Sequence, residues 1–91
     1  MSDIVLAVRV PNPAGLHARP CQAIAQIAQR HQASVRIGCD GVEADGRSIL
    51  ELMTLCAPCE ATLTIRAHGP DAAELVQRIA ALVADGFGEM T

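Results

Sequence analysis

His17 and Arg19 are the residues of this chain whose types and spacing suit chemistry. They stand in Pro13-Ala14-Gly15-Leu16-His17-Ala18-Arg19-Pro20, a Pro/Gly-rich turn that runs into a stretch of helical apolar periodicity. Pro20 falls in what would be the first helical turn, where its missing N–H has no intrahelical partner to lose. A helix beginning at Ala18 leaves its first N–H groups unpaired and directs the positive end of its dipole toward the imidazole. The backbone N–H groups of Ala18 and Arg19 and the Arg19 guanidinium then converge beside His17, an arrangement that suits an anion. A histidine so placed can carry a phosphoryl group on its own ring. The plain alternative is a capping or surface histidine next to a solvated arginine.

Ser48 is a second candidate. With Glu51 three residues on, it has the spacing of a capping box, so its first role is helix N-cap, worth about 0.5–2 kcal/mol relative to alanine. The cysteines fall at positions 21, 39, 56 and 59. The Cys56-x-x-Cys59 spacing invites a zinc or redox reading. One pair supplies two of the four ligands that structural zinc wants, and these thiols follow a helix C-terminus, where nothing lowers a thiol pKa. They read as plain loop thiols, and Cys21 and Cys39 as small buried hydrophobes. His31 and His68 carry no motif and read as surface or helix-end histidines. No metal and no cofactor is implied.

The elements that must position His17 follow from periodicity. Ile4 to Val10 is β-branched, with Ile4, Leu6, Val8 and Val10 on one face, and reads as a strand closed by Pro11. From Ala18 to Arg30, Cys21, Ile24, Ile27, Ala28 and His31 recur at three- and four-residue spacing, as on an amphipathic helix. Ser34–Gly38 alternates as a strand, Asp40-Gly41 is a hairpin signal, and Val42–Asp45 is the return strand. Ser48 opens a short helix over Ile49–Leu55, and Pro58 bars its extension. Ala61–Ala67 makes a fourth strand. The turn His68-Gly69-Pro70-Asp71 starts a last helix with Leu75, Val76, Ile79, Leu82 and Val83 as its buried stripe and Gly86 as its end. The order β-α-β-β-α-β-α predicts an α+β fold. In it an open-faced sandwich sets a four-stranded antiparallel sheet against three helices on one face.

The 91 residues make one domain, 1–91, with an aliphatic core, since Phe87 is the single aromatic. The absence of Trp and Tyr and the formal net charge of -3 argue against nucleic-acid binding by stacking or by phosphate attraction. Met1-Ser2-Asp3-Ile4 has no charged-then-apolar leader, and no run approaches the roughly 20 apolar residues of a membrane span. The chain reads as a soluble cytoplasmic protein that does not insert into membranes.

Gly15-Leu16-His17-Ala18-Arg19-Pro20 resembles the active-site motif of the HPr family. These are the histidine-containing phosphocarriers of the bacterial phosphoenolpyruvate-dependent sugar phosphotransferase system. Arg47-Ser48-Ile49-Leu50-Glu51-Leu52-Met53-Thr54-Leu55 is similar to that family's second helix and regulatory serine, and Asp85-Gly86-Phe87-Gly88-Glu89 to its C-terminal ending. The resemblance implies that His17 accepts a phosphoryl group on Nδ1 from phospho-enzyme I and passes it to A-domains of sugar permease complexes, with Arg19 supporting. It implies a monomeric carrier that is not an autonomous enzyme. A short helix buries one stripe, Ile49, Leu52 and Leu55 or their neighbours, so Leu50 and Met53 are open to a partner unless all are core; Leu16, Ile49, Leu50 and Met53 are taken as the partner surface. Ser48 resembles the serine modified by HPr kinase/phosphorylase in some bacteria, where its state controls a transcription regulator. Two features depart from the pattern. Leu55-Cys56-Ala57-Pro58-Cys59-Glu60 replaces a glycine-containing turn. Gln22, Gln26 and Gln29, with only Arg19 and Arg30 positive, replace the family's lysines. Weaker steering toward an acidic partner follows, as would suit a matched enzyme I or the nitrogen-related branch of the system.

Overall fold

Segments with apolar residues at alternate positions fold as strands, and the three stripes at helical spacing fold as helices. The computed structural model describes residues 3–88. Its elements are β1 (Ile4–Arg9), α1 (Ala18–Gln29), β2 (Ser34–Cys39), β3 (Val42–Asp45), α2 (Ile49–Met53), β4 (Thr62–His68) and α3 (Ala72–Ala84), followed by a 3₁₀ turn at Gly86–Gly88. The strands form one antiparallel sheet in the order β1-β4-β2-β3. β4 pairs with β1 from Ile4↔Ala67 to Arg9↔Thr62, and with β2 from Ser34↔His68 to Gly38↔Thr64.

Burial alternates along β2 and strictly along β4, as expected for a sheet with helices on one face and, among the described residues, no element on the other. Leu6, Ile65, Ile37 and Ala44 lie opposite one another across all four strands, and the last three are fully buried beneath the helices. α1 contributes Cys21, Ile24, Ala25 and Ala28 to this core, α2 contributes Leu52, and α3 contributes Leu75, Val76, Ile79 and Val83. The expected α+β open-faced sandwich is what the chain adopts.

Differences from expectation sit at element ends and edges. The first strand stops at Arg9 because Glu60 and Ala61 together oppose Val10, whose carbonyl accepts from Glu60 N–H at 2.7 Å and whose N–H donates to Ala61 O at 2.8 Å. Glu60, at φ +77, is the extra residue of this β-bulge. Ile4 and Leu6 point toward the helices yet keep 39% and 41% exposure, because β1 has a neighbour on one side only. The second helix ends at Met53 rather than Leu55. Thr54 and Leu55 N–H groups turn to i−3 carbonyls, and Cys56 at φ +48 breaks the run. Glu89, counted in the C-terminal resemblance, and Met1 and Ser2 lie outside the described residues.

His31 is at the end of α1 as expected but is buried. Its Nδ1 faces Ile27 O and its Nε2 faces Glu74 Oε2, both at 2.8 Å, which ties α1 to α3. Arg47 reaches the carbonyls of His31 and Ala33 and joins the start of α2 to the same corner.

Candidate functional site

The turn before α1 is built by Asn12-Pro13-Ala14-Gly15. Asparagine first, proline second and glycine fourth are the residues a type I turn prefers. Gly15 N–H donates to Asn12 O at 3.0 Å, and the fully buried Asn12 side chain donates from Nδ2 to Gly15 O at 2.8 Å. Gly15 itself has φ +69, and a Cβ there would lie 2.5 Å from Ala57 O and 3.0 Å from Pro58 Cα. No other residue fits that approach. The next N–H, of Leu16, donates to the same Ala57 carbonyl at 2.8 Å. The turn is thereby seated against the Cys56–Glu60 loop.

Leu16, placed by resemblance on the partner surface, is corrected here. It is 6% exposed and packs in the core. Two residues of the fold surround the site on the inner side, Leu16 before it and Pro20 after it, and Cys21 lies beneath. Between these anchors His17 stays exposed. It is the N-cap residue of α1, extended at φ -112 and ψ -166, and makes no side-chain capping bond. Its carbonyl accepts the first helical bond, from Cys21 N–H at 3.0 Å. Ala18 and Arg19 N–H groups, one and two residues after the cap, have no intrahelical carbonyl within reach, and Pro20 has no N–H at all. α1 has no acidic residue in its first turn, so its own first turn does not offset the positive end of its dipole. Arg19 is exposed on the same turn.

Ser48 is the N-cap of α2, and its Oγ accepts from Glu51 N–H at 3.2 Å. Glu51 reaches back to Asp45 N–H at 3.0 Å rather than to Ser48, whose own N–H is taken by Asp45 O. The helix this opens packs against α1, and Gln29 donates to Arg47 O at 3.1 Å across the junction. On its outer side Leu50 is 79% exposed and Met53 42%, whereas Ile49 is half-buried against the core. The expected patch is therefore made by Leu50 and Met53, with Ile49 only at its edge.

The thiols divide by burial. Cys21 and Cys39 are buried, and burial pushes the Cys21 thiol up to about 11. Cys56 is exposed and Cys59 half-buried, its Sγ 3.6 Å from Pro11 O. Both are free, and what the loop does for the site passes through Ala57. Asn12 and Ala57 escaped the sequence reading. The Asn-Pro-x-Gly pattern was a usable signal for the first; nothing local marks the second.

The chain matches the family model described as PTS HPr component phosphorylation site over residues 6–85. It is 36% identical over 78 residues to phosphocarrier protein HPr of Cupriavidus necator, covering 86% of this chain and 88% of that one. Phosphocarrier protein NPr of Klebsiella oxytoca is 31% identical over 83 residues, covering 90% and 92%. The crystal structure of phosphocarrier protein HPr from Bacillus anthracis superposes with a TM-score of 0.86 at 32% identity, covering 91% of this chain and 99% of that one. With an exposed histidine at the N-cap position of α1 inside that fold, the conclusion is direct: this chain belongs to the HPr family of phosphocarriers of the phosphotransferase system.

Proposed function

We propose that His17 is the phosphoryl carrier of this chain, loaded on Nδ1 by phospho-enzyme I and discharged to A-domains of sugar permease complexes. In each step one P–N bond breaks as another bond to phosphorus forms, so the carrier is left unchanged after a cycle. One observation supports this most strongly. The imidazole is exposed at the N-cap position of α1, while the backbone on both sides of it is held by buried Leu16 and Pro20. A carrier needs that combination: the acceptor atom must be reachable by two large partners and still be aligned. Ala18 and Arg19 N–H groups and the Arg19 guanidinium orient the phosphoryl oxygens without enclosing them. The catalytic machinery of each transfer is then supplied largely by the partner. Leu50 and Met53 form the apolar part of the docking face, with Ile49 at its rim. Ser48 is the regulatory position. A phosphate there meets the start of α2 and adds negative charge beside the docking residues.

Incubation with phosphoenolpyruvate and enzyme I tests the reading. Acid-labile, base-stable label on the chain, absent in His17→Ala, is the expected result. Arg19→Ala should retain labelling but at a rate lower by about tenfold, an effect on the order of 1.4 kcal/mol on the barrier. Label that persists in His17→Ala overturns the assignment.

A further inference from the structure

The Cys56–Glu60 loop seats the turn before His17, and two thiols bracket the part of it that does so. Ala57 O accepts from Leu16 N–H at 2.8 Å, and the same oxygen and Pro58 Cα are what a Cβ at Gly15 would strike. The contact is backbone against backbone, so a change in the course of the loop passes to Leu16 and is not absorbed by a side chain. Cys56 stands directly before Ala57, and Cys59 directly after Pro58. Both are free.

Neither thiol is firmly held. Cys56 is exposed and its Sγ donates to Met53 O at 3.6 Å; Cys59 is half-buried and its Sγ donates to Pro11 O at 3.6 Å. Cys56 also sits at φ +48, where a residue with a Cβ is strained. The loop ends are fixed. Leu55 is buried on one side, and on the other Glu60 N–H bonds Val10 O and Ala61 N–H bonds Pro58 O.

We propose that Cys56 and Cys59 form an intrachain disulfide that withdraws the Ala57 carbonyl from Leu16 and so loosens the turn; its effect on loading rests on His17 being the carrier. A disulfide brings its Cα atoms to about 4.4–6.8 Å, whereas three extended residues span about 10 Å. Residues 56–58 belong to no helix, strand or turn, so closing the bridge folds a segment that nothing folds now. Pro58 locks its own φ and keeps Ala57 extended. The Ala57–Pro58 peptide unit therefore swings as one body between the two cysteines, and its carbonyl swings with it.

The oxidant is a low-molecular-weight disulfide of the glutathione class. The exposed Cys56 thiolate attacks one of its sulfurs, releasing one thiol and leaving a mixed disulfide; Cys59 then attacks Cys56 Sγ and releases the second. Two protein thiols give up two electrons and two protons, and one small disulfide becomes two thiols. A helix C-terminus does not speed such attack, as a dithiol catalyst requires, but a bridge that forms slowly and persists does not require it.

Oxidised glutathione, added to the folded chain and then removed, provides the test. Mass spectrometry should show the loss of two hydrogens, mapped to Cys56 and Cys59, with Cys21 and Cys39 still reduced. Leu16 N–H should then exchange about five- to tenfold faster, as for the loss of one backbone bond. Loading of His17 by phosphoenolpyruvate and enzyme I should slow by a similar factor, and dithiothreitol should restore both. Cys59→Ser should stop at the mixed disulfide and keep the Leu16 bond, and Cys56→Ser should not respond. A mixed disulfide that never closes in the parent chain overturns the proposal, as does a closed bridge that leaves Leu16 exchange or loading unchanged. A reduced chain that takes no label at all overturns the carrier reading instead, and Leu16 exchange still decides whether the bridge reaches the turn.

Discussion

Gly15 is the residue on which the placement of His17 turns. Alanine at this position meets both a left-handed φ of +69 and a backbone oxygen 2.5 Å away, whereas alanine at Gly41 meets φ +82 and open space. Gly41→Ala should cost about 1 kcal/mol, the backbone term alone. Gly15→Ala should cost at least about 2 kcal/mol more, because Leu16 must leave Ala57 or the loop must move. Urea unfolding gives the two costs, and only the second variant should also load phosphate slowly. The thiols give an independent check on burial at this scale. Cys56 should react with a disulfide reagent in the native protein, whereas Cys21, with its thiol pushed up to about 11 and no exposure, should react only on unfolding. Stopped-flow labelling with and without urea separates them.

At the scale of elements, caps decide where helices start and what their first residues are free to do. α2 is five residues long and begins with Ser48 accepting from Glu51 N–H, so Ser48→Ala should destabilise by about 0.5–2 kcal/mol while Ser48→Asp largely retains stability. Denaturant midpoints measure both. α3 begins differently. Asp71 makes no side-chain cap for its own helix; its carboxylate accepts from Gln32 N–H at 2.9 Å and Ala33 N–H at 2.8 Å, joining α3 to the start of β2. Those bonds, the Gln32 one foremost, hold its carboxyl below the usual carboxylate range. A lowered folded pKa contributes stability above the ordinary value of about 3.9, and that contribution disappears as pH falls through the folded value. Asp71→Asn should therefore be less stable than the parent at neutral pH, with the difference closing below about pH 4. Thermal melts across that range are the measurement; a gap that stays constant with pH would refute the linkage.

Over the whole molecule, one aliphatic layer supports everything else. Ile65 lies on the central strand between Leu6 and Ile37 and is fully buried. Ile65→Ala should cost about 2–5 kcal/mol. A domain of this size has only about 5–14 kcal/mol in total, so calorimetry should show the variant melting far below the parent or not cooperatively at all. His17 chemistry should fall only in proportion to the unfolded fraction, since the site lies on the far side of the anchors Leu16 and Pro20 rather than in the layer itself.

The element order and the open-faced sheet were legible in the chain, and so were the places of His17 and Ser48 at helix starts. Alternation, helical periodicity, Ser48-x-x-Glu51 and Asp40-Gly41 are local signals, and a histidine at the start of a helix is marked by its immediate neighbours. What sits beside a residue from a distant segment was not legible. Leu16 looked like surface because its burial depends on packing from other elements. Ala57 is silent until the loop after α2 is folded onto Gly15, forty-two positions away in the chain. Ile4 and Leu6 have the pattern of core residues, and only strand order, which left β1 without an outer neighbour, decided that they stay half-exposed. Sequence alone determined which segments form and that His17 stands at the start of α1, because those follow from bonds a few residues long. Tertiary structure decided what holds that side chain in place and which edge is left open, because both depend on contacts between residues far apart in the chain.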